Sequence, residues 1–88
     1  MRTIWKYEIP MLDIFSIDVQ KGAEILSLQT QHGVPNLWML VDDVVGREKR
    51  TFCLYGTGHP VNHIDGKYIG SFQLDYGALV FHLFEVAI

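Results

Sequence analysis

The sequence predicts an all-β domain of about seven short antiparallel strands, arranged as a sandwich or a partly open barrel. Three observations carry this expectation. Apolar and polar residues alternate with a period of two in nearly every segment, and turn-forming residues interrupt the alternation at short, regular intervals. The third is the shortage of helical pattern: the best candidate, around residues 22–28, starts on a glycine and is too short to stand alone. With 88 residues and 49% hydrophobic content, the chain supports one small core and therefore one domain, 1–88.

The first predicted strand covers residues 2–9, with Thr3, Trp5, Tyr7 and Ile9 on one face and Arg2, Lys6 and Glu8 among those on the other. Pro10, which has no N–H to give a ladder, closes it. The second covers 14–19, setting Phe15, Ile17 and Val19 against Ser16 and Asp18, before a turn at Lys21-Gly22. The third covers 23–31, where Leu26, Leu28 and Thr30 would share a face. His32-Gly33-Val34-Pro35-Asn36 then reads as a hairpin connection. Leu37-Trp38-Met39-Leu40-Val41 is apolar without alternation, as expected of a central strand covered on both faces.

A polar loop is expected from Asp42 to Lys49, around Gly46. The fifth strand, 50–55, puts Phe52 and Leu54 on one face and Thr51, Cys53 and Tyr55 on the other. A long loop from Gly56 to Gly66 leads to a sixth strand, 68–74, a tight turn at Asp75-Tyr76-Gly77, and a seventh strand, 78–86. That last strand is apolar on both faces, diluted only by His82 and Glu85. It reads either as a central strand with a bulge near Glu85 or as part of a subunit interface, most simply a symmetric homodimer.

Seven Lys plus Arg against ten Asp plus Glu leave a net charge of −3, which argues against a general nucleic-acid binder. Cys53 is the single cysteine, so an intramolecular disulfide and a multi-thiolate zinc site are excluded; within Phe52-Cys53-Leu54 it reads as a small buried hydrophobe. The charged start of the chain lacks a signal-peptide pattern, and no apolar run approaches the roughly 20 residues of a membrane helix, so a soluble intracellular protein is expected.

Chemistry-bearing residues concentrate between Tyr55 and Lys67. Gly56 and Gly58 free the backbone to approach an anion, although Gly-Thr-Gly lacks both the third glycine of a dinucleotide fingerprint and the Lys-Ser/Thr ending of a P-loop. His59, His63 and Asp65 are residue types that ligate metals, but Pro60 breaks the helical geometry that would align them, and no metal or other cofactor is expected. No nucleophile-elbow pattern surrounds Ser16, Ser27 or Ser71, and Asp42-Asp43 fits a solvated turn, so the chain is read as a non-enzyme. Arg47, Lys49 and Arg50 form the one basic cluster. Arg50 and Gly56, at opposite ends of one strand, stand about 20 Å apart at ~3.3 Å per residue, and converge only through curvature, a neighbouring strand or a second subunit.

Several stretches are distinctive: Met1 to Pro10, Leu37-Trp38, Gly56 to Pro60, Tyr68 to Gln73 and Gly77 to Glu85. Together they resemble a family of small bacteriophage-encoded proteins, over nearly the whole chain. The family has no established activity, and the resemblance implies context: a short phage accessory protein in the host cytoplasm that works by binding. The leading expectation is a homo-oligomer that sequesters a host immune nucleotide signal, of the cyclic nucleotide or cyclic ADP-ribose type. In it Gly56, Thr57, Gly58 and His59 would hold phosphate, Arg47 or Arg50 would neutralise charge, and Trp38 or Tyr68 would stack on a base. The alternatives are an inhibitor that binds a host defence protein directly, and a minor structural or assembly protein of the particle.

Overall fold

A computed structural model describes residues 1–62 and 66–87. Alternation folds as expected into strands, all of them antiparallel: β1 (Arg2–Glu8), β2 (Ile14–Gln20), β3 (Glu24–Gln31), β4 (Val34–Asp42), β5 (Arg47–Gly56), β6 (Lys67–Leu74) and β7 (Leu79–Val86). They form two sheets that are not closed into a barrel, a three-stranded one in the order β1-β4-β3 and a four-stranded one in the order β2-β5-β7-β6. The inner faces share one core, which includes Phe15, Val19, Leu37, Met39, Val41, Phe52, Leu54, Phe72 and Leu83. β3 approaches β6 closely enough that Gly70 lies under Leu28, closing one side of the sandwich.

Several boundaries move, each for a local reason. The connection expected over 32–36 is a two-residue turn, His32-Gly33, with both φ positive at 52° and 78°. That is the hairpin turn whose twist matches the flanking strands, so Val34, Pro35 and Asn36 join β4. Pro35 is tolerated at the start of β4, where its carbonyl accepts the Ile9 N–H at 3.0 Å just beyond the end of β1. β5 likewise starts earlier than expected, at Arg47, because Gln20↔Arg47 and Asp18↔Lys49 pair it with β2. The basic cluster is thus in a strand, with Arg47 and Lys49 on one face and Arg50 on the other.

β4 is central, as expected, but only one of its faces is fully covered. Leu37, Met39 and Val41 are buried to 0–1% exposure, while Trp38 and Leu40 are half-buried on the outer face beside Lys6 and Ile4. In β3 the register shifts between Ile25 and Ser27. This bulge turns Ile25 and Leu28 inward and leaves Leu26 exposed, so Leu26 and Leu28 do not share a face. β7 is central, between β5 and β6, and pairs regularly with β5 from Phe81 to Val86; the bulge lies in the neighbouring β6, between Tyr68 and Gly70, opposite Phe84 and Leu83 and not in β7 itself.

Glu85 belongs to the inward face of β7, with Leu83, and its charge is answered there. Arg50 Nε and Nη2 donate to Glu85 Oε2 and Oε1 at 2.6 and 2.7 Å, and Nη1 donates to the Ala23 carbonyl at 2.5 Å. The two side chains are only 18% and 23% exposed. The fork therefore joins β5, β7 and the connection into β3 at the polar end of the inter-sheet layer.

Two buried acids bias stability at high pH. Burial pushes the Tyr7 phenol above its ordinary value of 10.0, against the charge of Arg47 and the nearby Gln20 backbone, and its Oη lacks a partner in hydrogen-bond geometry. Burial likewise pushes the Cys53 thiol above 9.0, against a hydrogen bond from Tyr55. Raised native values mean that the folded chain holds these protons more tightly, so their contribution is complete below about pH 9 and is lost as pH rises. A thermal melting series should show Tm falling above that point. Tyr7→Phe should leave neutral-pH stability unchanged or slightly higher and flatten the alkaline fall; an unchanged fall would contradict the assignment. Separately, a Cβ at Gly66 would stand 2.8 Å from Val86 Cγ1 and 2.9 Å from the Glu85 carbonyl. Gly66→Ala should cost about 2 kcal/mol in urea denaturation, as overpacking against backbone does.

Candidate functional site

The Gly-rich segment is a tight turn before it is anything else. His59 N–H donates to the Gly56 carbonyl at 3.1 Å, and Gly58 takes φ +87° at the third position, where a side chain would be strained. Thr57 N–H is also occupied, donating to the Val80 carbonyl at 3.1 Å. The His59 ring lies over Gly56, so that a Cβ there would be 3.0 Å from Cε1 and Nδ1. Two of the amides that an anion would use are therefore occupied, one within the turn and one on β7.

Beside the turn, strand pairing assembles a polar and aromatic cluster on the outer face of the four-stranded sheet. Tyr55↔His82 and Tyr68↔Phe84 are cross-strand partners. Tyr68 Oη stands 2.9 Å from His82 Nδ1, and Thr57 Oγ1 stands 2.8 Å from His82 Nε2 and donates to the Val80 carbonyl at 3.2 Å. For a neutral imidazole one proton arrangement satisfies every contact: Tyr68 donates to Nδ1, Nε2–H donates to Thr57, and Thr57 donates to Val80. It holds the Tyr68 phenol in place and leaves the Thr57 proton on a carbonyl rather than on a base. Tyr55 and Tyr68 both meet Phe84 edge-on, with centroids 5.7 and 5.1 Å apart.

Two concavities flank His59. A groove of about 330 Å³ is lined by Thr57, Gly58, Tyr68, His82 and Phe84. A cleft of about 390 Å³ is lined by Met11, Leu12, Ile14, Pro60 and Phe81, with Asp13 and Asn62 as polar members. Both include Tyr55, Gly56 and His59, so they make one continuous surface. Met11, Leu12, Ile14 and Tyr68 are each 46–57% exposed there.

Of the expected site residues, the structure brings together Gly56, Thr57, Gly58, His59 and Tyr68. It keeps Arg47, Arg50 and Trp38 away from that turn, although Arg50 lines with Lys67 and Tyr68 a separate concavity of about 450 Å³ between β3 and β6. Arg47 begins β5, and Gly56 ends it, about 30 Å away at ~3.3 Å per residue. Arg50 is engaged by Glu85 and Ala23, which raises its pKa further, first through the Glu85 hydrogen bond. Trp38 lies on the outer face of the other sheet. His63 and Asp65, weighed with His59 as metal ligands, lie outside the described residues; among the described residues no metal-ligand group of His, Cys, Asp and Glu converges.

His82 and Phe84 were not singled out as site residues by the sequence. Their presence in the last strand was visible, but their neighbours are set by the order β5-β7-β6, which periodicity does not encode. Met11 and Leu12, in the short link between two strands, carry no motif at all.

The fold and site define a small two-sheet β domain with an aromatic, turn-bounded surface at one end. The chain belongs to the family described as a domain of unknown function, DUF7352, whose model matches residues 1–88. No curated protein and no solved structure matches it.

Gly58→Ala should cost about 1 kcal/mol in urea denaturation, because its positive φ is lost at a strain of that order. Gly56→Ala should instead displace the movable His59 ring, read as a shift of its imidazole resonances in NMR. Unmoved His59 resonances would contradict the stacked geometry.

Proposed function

We propose that this chain is a non-catalytic binding domain that holds a partner protein on the surface formed by the cleft and groove around His59. The observation that supports this reading is the composition of that continuous surface. It presents Met11, Leu12, Ile14, Tyr55, Tyr68 and Phe84, and among the described lining residues it has no Lys or Arg. Exposed aromatic and aliphatic surface depleted in charge is the composition of the buried centre of a protein interface, where burial and rigid rings supply much of the binding energy. The phage resemblance makes a host defence protein the partner in question, with a component of the phage particle as the other source.

A second reading, sequestration of a cyclic nucleotide or cyclic ADP-ribose signal in the host cytoplasm, draws support from the grouping of Gly58, His59 and Tyr68 around one groove. Such a ligand would stack on Tyr68 and meet the Gly58 amide and His59, with Arg47 and Arg50 at the far end of β5.

The two readings separate in a paired experiment. Affinity capture from host lysate should retain one stoichiometric protein, and Leu12→Asp should reduce its retention roughly tenfold, equivalent to 1.4 kcal/mol. Equal retention by wild type and Leu12→Asp would overturn the protein-binding reading. Calorimetric heat with a cyclic nucleotide, abolished by His59→Ala, would establish the second reading in its place.

A further inference from the structure

The four outer strands of the two sheets are not equally guarded. β3 and β6 each contain a bulge, at Leu26 and Ile69, and lie against one another. β1 carries exposed Arg2, Lys6 and Glu8, with Lys6 Nζ donating to Gln31 Oε1 at 2.7 Å across the sheet. Bulges, charges and mutual cover are the usual protections of a sheet edge. β2 has none of the bulges, no proline and one charged residue, Asp18.

The register shows which backbone groups of β2 remain available. At one end Leu54 N–H donates to the Asp13 carbonyl at 2.9 Å, and at the other Lys21 N–H donates to the Gly46 carbonyl at 2.8 Å. Hydrogen-bonded and non-hydrogen-bonded pairs alternate in an antiparallel ladder, so Phe15, Ile17 and Val19 bond to β5. Ile14, Ser16 and Asp18 therefore turn their N–H and C=O groups to the open edge. Their side chains lie on the outer face, where Ser16 Oγ meets Thr51 Oγ1 at 2.8 Å.

We propose that a second copy of this chain pairs with β2, antiparallel about a two-fold axis, joining two four-stranded sheets into one. The sequence of the edge suits its own reverse. A two-fold at Ile17 sets Ser16 opposite the partner's Asp18 and Ile14 opposite the partner's Gln20, a hydroxyl facing a carboxylate and no like charges in register. An axis at Asp18 would oppose two carboxylates and is disfavoured. Self-pairing of one edge gives a closed dimer, which leaves no further β2 edge for growth.

The test is the mass of the whole chain in solution. Light scattering should give twice the 10.1 kDa chain mass. Ser16→Pro removes an N–H that points away from β5, so it should halve the mass with the circular dichroism of wild type, while Ser16→Ala should remain dimeric. A monomeric wild type, or a folded Ser16→Pro that stays dimeric, overturns the proposal. Amide exchange on wild type decides even if Ser16→Pro does not fold. Ser16 and Asp18 amides should exchange more than about tenfold slower in the dimer than on dilution to monomer, and equal rates would overturn it.

Discussion

The fork from Arg50 to Glu85 is the polar constraint around which the sandwich is arranged. Both residues sit on the inner face of their strands, in line with Phe52 and Leu83, where a charge alone would be costly to desolvate. Paired in bidentate geometry, with the remaining donor on the Ala23 carbonyl, they are satisfied and span three segments distant in sequence. The apolar layer from Val19 to Phe72 ends at that side on a satisfied pair, and the crossover from β2 to β3 is fastened where the chain passes from one sheet to the other.

This constraint also decides where ligand chemistry can sit. It removes Arg50 from any binding role that needs a free cation, and strand direction carries Arg47 to the same far end. What is left around the Gly-Thr-Gly-His turn is a surface of rings and aliphatic side chains braced by the hydrogen-bonded series Tyr68, His82, Thr57 and Val80. The glycines serve the turn itself: Gly58 for its positive φ and Gly56 to admit the His59 ring. A surface of this kind is suited to contact area and shape more than to neutralising phosphate.

The strands were legible in the sequence because period-two alternation is a direct consequence of the pleat, and every expected strand is present. The fifth shows both sides of this: Phe52 and Leu54 were assigned correctly to one face, yet its start was placed after Arg47 because charged residues read as loop. Bulges hid in the same way. A single extra residue at Leu26 shifts the alternation by one, and nothing in the residue types marks it. At Val34-Pro35 the turn residues misled, since a proline at a strand end is compatible with pairing when no ladder N–H is needed. The site was half legible. Its turn was found from glycine and histidine, whereas His82 and Phe84 became neighbours of Tyr68 only through a strand order that joins β6 and β5 to opposite sides of β7.

A double-mutant cycle on Arg50 and Glu85, read by urea denaturation of wild type, Arg50→Met, Glu85→Gln and the double variant, measures what the fork contributes to the sandwich. A pair that fastens β5 to β7 should show a coupling of about 1–2 kcal/mol, the range for a partly exposed, charge-assisted bidentate pair, with each single variant destabilised by more than the double variant's share. A coupling within about 0.3 kcal/mol of zero, the additivity of independent sites, would contradict it and return Arg50 to the side chains free for a ligand.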